Sequence, residues 1–299
     1  MTGQYGQFLH KMYSDERVYK EYVSQTFNRT ALNYDHVGPR FFSHFGNRLV
    51  QLAGVGNGAS VLDVGCGRGA ILLPAAERVG ASGEVIGIDI ATTMLQQTAN
   101  DIETLGLENA RVCYMDAEAL RFPDASFDYV IHGFALYEFY DLDAALSESF
   151  RVLRPGGVFA ASLWGRKLDS RWDRFRSVVK SYQGLLKPAP EAKNVPRLRE
   201  AADIEAVLSR AGFANIQTAA EEKEFYLNDV DEWWAFEWSH GNRFLWERME
   251  AAALERCRGE LYEVIGQMEQ EAGIPIVFQI LLTRAEKPHG EGDLRLTSG

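Results

Sequence analysis

Cysteine is scarce: Cys66, Cys113 and Cys257 are the only three in 299 residues. The number is odd and none stands in a CxxC spacing. Neither a disulfide framework nor a zinc site is expected, and a reducing, cytoplasmic setting is. Long apolar runs are also missing. No stretch reaches the ~18 residues that a membrane span needs. The opening MTGQYGQFLHKMYSDERVYK has no apolar centre of the kind a secretory leader carries. Positive charge is in deficit, with 31 bases against 42 acids and a formal net charge of −11. No stripe of Lys and Arg runs along the chain, so a nucleic-acid partner is not expected. Repeats and low-complexity blocks are absent, and nothing indicates an oligomer.

Apolar residues make up 46 % of the chain, enough for a sizeable core. Residues 1–46 read as a helical N-terminal cap, with Val23, Phe27 and Tyr34 at amphipathic spacing and Gly38-Pro39 as a break. From 47 the pattern alternates. Branched, apolar strands are predicted at 60–65, 83–90, 110–117, 127–136 and 157–164. Helices are predicted at 70–80, at 92–106 with Thr92 as N-cap, and at 141–153. A helix at 201–213, a strand at 214–227 and a last strand at 274–287 complete the core. The expected fold class is α/β: a doubly wound, mainly parallel seven-stranded sheet with helical cap insertions. The core spans 47–287, the insertions fall at about 166–200 and 228–273, and 288–299 is expected to be a disordered tail.

Between the first strand and its helix lies VLDVGCGRGA, 61–70. Bare glycines let main chain approach a ligand, and the helix N-terminus beyond adds free amides and partial positive charge. A carboxylate or a phosphate suits that position, and the loop even satisfies the dinucleotide pattern GxGxxG/A. Acids sit at the ends of the next strands. Asp89 suits a ribose diol, since a carboxylate accepts from hydroxyls. Asp116 suits an amino group on a base, or else caps a helix starting at Ala117. Ile90 and Met94 could grip the faces of a base. Cys66 reads as a small loop filler rather than a nucleophile.

The stretches VLDVGCGRG, VIGIDI, YMDAEAL, SFDYVIHGFAL and RVLRPGG cover about 60–165. In order and spacing they resemble the class I S-adenosylmethionine-dependent methyltransferases, most of all the branch related to ubiquinone and menaquinone biosynthesis and to small-molecule methylation. The resemblance implies a last strand inserted antiparallel and S-adenosylmethionine as cofactor, with Gly65 and Gly67 facing its methionine part and Asp63 steadying the amino group. Asp89 then holds the ribose, Ile90 and Met94 sandwich adenine, Asp116 takes the exocyclic amine and the Ala117 amide a ring nitrogen. His132 or Gly133 offers a backbone carbonyl to the methionine amine.

Methyl transfer from a sulfonium needs alignment and desolvation first, and a base only for an acceptor that holds its proton tightly. His132, Tyr137 and Glu138 follow the fourth strand; His132 and Tyr137 stand as the catalytic candidates, each with a packing role as the alternative. Tyr34, His44, Phe134, Trp164, Trp234 and Trp238 are the candidate substrate contacts. The resemblance suggests that Tyr34 closes over the cofactor, against a purely packing role. The aromatic stretch DEWWAFEWSHGNRFLW reads as core anchors for the most part, with one or two residues meeting a hydrophobic or aromatic acceptor. Two other functions fit parts of the pattern: an NAD-dependent oxidoreductase, and a protein that keeps the cofactor pocket but cyclises or binds without methylating. The acids Asp63 and Asp116 and the antiparallel last strand argue against the first.

Overall fold

The computed structural model describes residues 15–166, 169–194 and 198–289. The opening residues and nearly all of the expected tail lie outside that range. The first strands are apolar on both faces because helices cover both. In β1 (Ser60–Val64) and β2 (Glu84–Asp89), Val61 and Val85 enter the core on one side of the sheet while Leu62 and Ile86 enter it on the other. With β3 (Ala110–Tyr114), β4 (Phe127–Gly133), β5 (Leu153–Trp164), β6 (Ala214–Leu227) and β7 (Ile274–Glu286) they form one sheet in the order β3-β2-β1-β4-β5-β7-β6. Strands β1 to β5 run parallel, and β7 inserts antiparallel to both neighbours, as expected. The chain winds outward from β1 to β3 and then returns to β4 beside β1. That reversal opens a crevice at the carboxyl ends of the strands.

Helices α1 (Glu16–Thr30) and α2 (Phe41–Ala53) precede the sheet, and α3 (Leu72–Val79), α4 (Thr92–Leu105) and α5 (Leu142–Val152) cross between strands. Pro74 falls in the first turn of α3, where its missing amide hydrogen costs no helical bond. Helix α2 lies against the glycine loop because Gly46 has no Cβ; one added there would meet the Ala70 carbonyl oxygen at 2.1 Å. After β5 come α6 (Asp173–Tyr182) and α7 (Ala201–Arg210). The stretch read as one helical insertion is three helices, α8 (Val230–Trp238), α9 (Arg243–Trp246) and α10 (Ala251–Gly266).

Three local expectations change. Helix α4 is capped from elsewhere: Ala91, not Thr92, is its N-cap, and the Thr93 amide donates to Asn28 Oδ1 of α1 at 2.7 Å. Strand β4 stops at Gly133 because Phe134 turns into the left-handed region at φ +59°. Strand β5 begins at Leu153, so Pro155-Gly156 lies inside its first residues, where the register against β4 shifts.

Candidate functional site

The glycine loop leaves β1 on positive φ at Gly65 (+70°) and Gly67 (+47°), a region that side-chain-bearing residues avoid. A Cβ on Gly65 would strike that of Ala135 at 2.7 Å, whereas one on Gly67 would project into open space. The loop is fixed from β2. Gly65 and Cys66 amides donate to the Ile88 carbonyl at 2.8 and 2.9 Å, and the Gly67 amide donates to Asp89 Oδ2 at 2.9 Å. The other Asp89 oxygen accepts from the Ala91 amide at 2.8 Å. Burial nonetheless raises the Asp89 carboxyl above its ordinary range, the amide bonds opposing it.

A cleft of about 710 Å³ opens over this loop at the strand ends. Gly65, Gly67, Asp89, Ile90, Met94, Asp116 and Ala117 all line it, so the spacing read from the sequence assembles in space. A smaller chamber adjoins it across Tyr34, Gly65, Gly67, Gly133 and Phe134, and holds Asp63 and Ser162. Asp63 is 1 % exposed. Its Oδ2 accepts from the Leu72 amide at 3.0 Å, but among the described residues Oδ1 has no partner, and neither has Ser162 Oγ. Burial pushes the Asp63 carboxyl up to about 8. An orphaned oxygen of this kind costs roughly 1–3 kcal/mol unless a donor arrives. A cationic amine on a ligand seated against the glycines is such a donor, and the residues present therefore fit the nucleoside amino acid implied by the resemblance.

Asp116 does two jobs. Its Oδ1 accepts from the Glu118 amide at 2.9 Å, capping a short turn where the sequence suggests a helix, while Oδ2 faces the Lys20 ammonium at 2.7 Å. Lys20 was not anticipated. It belongs to α1, which roofs the cleft with Lys20, Val23 and Phe27, and it also pairs with Glu118 at 2.9 Å. The signal in the sequence is the apolar spacing of Val23 and Phe27, which by itself indicates only a packed cap helix. Tyr34 and Phe134 line both chambers, Tyr34 stacked on Phe42 with centroids 4.5 Å apart.

The catalytic candidates lie elsewhere. His132 is fully buried beneath the sheet, its ring against Phe139 and Phe159 and its Nε2 3.0 Å from Ser149 Oγ. The two-residue period of β4 puts its side chain on the Val130 face, under α5, and burial lowers the imidazole to about 3. The ring stays neutral and lines neither chamber. Tyr137 is a brace: its hydroxyl donates to the Leu198 carbonyl at 2.6 Å and accepts from the Trp164 amide at 3.1 Å. Burial pushes that hydroxyl up to about 12.

Four expected substrate contacts also line neither chamber. His44 packs edge-on against Phe45 and Phe225. The Trp164 ring packs behind Phe134, against Phe41 and Phe278. Trp234 sits among Trp233, Trp238, Trp246 and Tyr262, and Trp238 takes the Arg243 guanidinium over its face. The buried Glu237 carboxylate ties this aromatic block together by accepting from Trp246 Nε1 and Asn242 Nδ2. A nine-residue helix presents only one side to the sheet, and on α8 that side carries Trp233 and Phe236.

With this geometry in view, comparisons with known proteins become informative. A methyltransferase-domain family model matches residues 56–203. Nocamycin O-methyltransferase of Saccharothrix syringae is 36 % identical over 242 residues, covering 75 % of this chain and 84 % of that protein. Aklanonic acid methyltransferase DauC of a Streptomyces species is 42 % identical over 142 residues, 48 % of this chain; the match spans only 64 % of that relative's length. Among solved structures, the YcgJ protein of Bacillus subtilis shares the fold with a TM-score of 0.55 at 22 % identity, over 83 % of this chain and all of that one. No helix among the described residues is long and apolar enough to cross a membrane. Taken with the sheet order and the glycine cradle at its switch point, the matches place this chain in the class I S-adenosylmethionine-dependent methyltransferase family.

Proposed function

We propose that the protein methylates a hydrophobic or aromatic small molecule in natural-product biosynthesis, using S-adenosylmethionine, in the cytoplasm and without a nucleic-acid partner. The observation that carries this reading is the unpaired, buried Asp63 oxygen beside the glycine loop, in a chamber continuous with the acid-lined cleft. Asp63 receives the cofactor's amino group, with the backbone at Gly65, Gly67 and Gly133 alongside the methionine part. Asp89, already aligned by two amide donors, holds the ribose hydroxyls. Ile90 and Met94 pack on adenine, while Asp116 and the Ala117 amide read its edge. The cofactor supplies a methyl group already activated as a sulfonium.

The chain's own task is to orient and to keep water out. Tyr34, Phe42 and Phe134 wall the small chamber with ring faces that suit a methyl-bearing cation. The relatives named for aklanonic acid and for nocamycin support a polycyclic or polyketide-like acceptor. With His132 and Tyr137 buried in structural bonds, the reading assigns neither of them as base.

Calorimetry of the full chain with S-adenosylmethionine and with NAD tests the cofactor. The expected result is micromolar binding of the first and none of the second. Isotope-labelled methyl is then followed into a panel of polyketide acids, phenols and quinones. NAD binding, or label entering no acceptor, overturns the reading.

A further inference from the structure

Four carboxyl groups line the cleft, Asp89, Asp116, Glu118 and Glu138. Two backbone amides fix Asp89. Lys20 pairs with both Asp116 and Glu118, and Glu118 also accepts from the Tyr140 amide at 2.7 Å. Glu138 is different. It closes the short turn Ala135–Tyr137 through its own amide, but its carboxyl has neither hydrogen bond nor ion pair among the described residues. The titratable groups around it are the hydroxyls of Tyr19 and Tyr22 on α1 and that of Tyr34. Lys20, Asp89, Asp116 and Glu118 stand on the other walls, and Arg29, Glu247 and Arg248 act on Tyr22 from outside. The Tyr22 hydroxyl is itself buried without a partner among the described residues. Burial alone pushes the Glu138 carboxyl up to about 7.

A methyl-bearing sulfonium and the thioether left after transfer share adenosine and amino acid. They differ by one methyl group and one positive charge. Asp63, Asp89 and Asp116 meet only the shared parts, so none of them can tell the two apart. We propose that Glu138 makes the cleft charge-selective: its carboxylate is the counter-charge for the sulfonium and favours the charged cofactor over the spent, neutral one. The inference rests on the cofactor reading above. An isolated carboxylate in a low-dielectric cleft is costly, so Glu138 holds its proton until a cation enters and releases it when one does. Selectivity and proton release are then two faces of one coupling.

Calorimetry with S-adenosylmethionine and S-adenosylhomocysteine, from about pH 6 to pH 8.5, reads both. In the unmodified protein the ratio of their affinities should rise about fivefold across this range and then level off, the change expected of a neighbouring charge that shifts an acid by about one unit. Near pH 7, enthalpies in buffers of different ionisation heat should show S-adenosylmethionine releasing up to about half a proton more than S-adenosylhomocysteine. Any proton lost from Asp63 is common to both ligands and cancels. Glu138→Gln should lower the ratio about tenfold at high pH and abolish the difference in proton release. Glu138→Asp should retain part of both.

A pH-independent ratio in the unmodified protein overturns the proposal without any variant. An unchanged ratio and proton count in a folded Glu138→Gln protein does the same. If neither nucleoside binds the unmodified protein, the cofactor reading falls, and this inference falls with it.

Discussion

Asp89 and Lys20 line the same cleft yet reach it by different routes. Asp89 ends β2, is held by amides of the loop next door, and sits where strand-end geometry alone would put it. Lys20 comes from a helix that crosses over the strand ends, and it finds Asp116 only because α1 docks on α4 through Asn28 and on Ile90 through Ser24. The floor of the cleft is therefore set by a short loop and the end of the strand beside it, twenty-two residues apart. Its roof is set by contacts between residues more than sixty apart. Local rules leave a legible pattern in a sequence, whereas docking does not.

The sharpest way to break the floor is Gly67→Val. A β-branched residue at φ +47° is strained, and its methyls would occupy the open space before the loop. Cofactor affinity should fall by more than about a hundredfold, roughly 3 kcal/mol, with circular dichroism unchanged; a variant that still binds means that the backbone never meets the ligand. Asp63→Asn should weaken binding by about 2 kcal/mol, roughly thirtyfold, by removing a charge from a buried pair. This variant has a second signature without ligand. Because the folded Asp63 carboxyl lies near 8, above its unfolded value, its stabilising contribution is complete below about pH 4 and is lost as pH rises towards 8. Asp63→Asn should flatten the fall in melting temperature over that window, and an identical pH profile counts against the orphaned acid.

The roof should yield less. Lys20→Ala removes the bond to Asp116 and Glu118, and we expect a loss of about three- to tenfold in affinity, near 1 kcal/mol. A loss as large as that of Asp63→Asn would mean that roof and floor carry equal weight. Smallest in affinity is Trp234→Ala. The protein should lose about 2 kcal/mol of stability, as for a large, partly buried ring, while cofactor affinity stays within about twofold. A marked loss of binding would place the tryptophan block at the cleft after all.

The same contrast explains what the sequence disclosed. Strands and cradle follow from apolar runs, glycine spacing and acids at strand ends, because each is a short apolar run or a loop a few residues long; the strand order came only with the structure. His132 shows the limit. Its position at the end of β4 suggested chemistry, but the alternation that turns its ring towards Ser149 was already present in Val130 and His132 and was overlooked. Thr92 looked like a cap because nothing nearby in the chain announced that Asn28 would supply one. Trp234 and Trp238 were misjudged for a third reason: a helix crowded with tryptophan on several sides gives no direction until its neighbours are known. Glu138 stands beside Tyr137 in the turn after β4, and only the surrounding walls separate the acid that faces the cleft from the hydroxyl locked behind it.

Helix α1 is moored by charge at both ends: Lys20 to Asp116 and Glu118, and Arg29 to Glu247 of the segment between α9 and α10. Between these moorings few polar bonds hold it down. Ionic strength is thus a handle on this flap. Concentrated salt should slacken both tethers together, speeding nucleoside exchange while the glycine bed beneath keeps its shape.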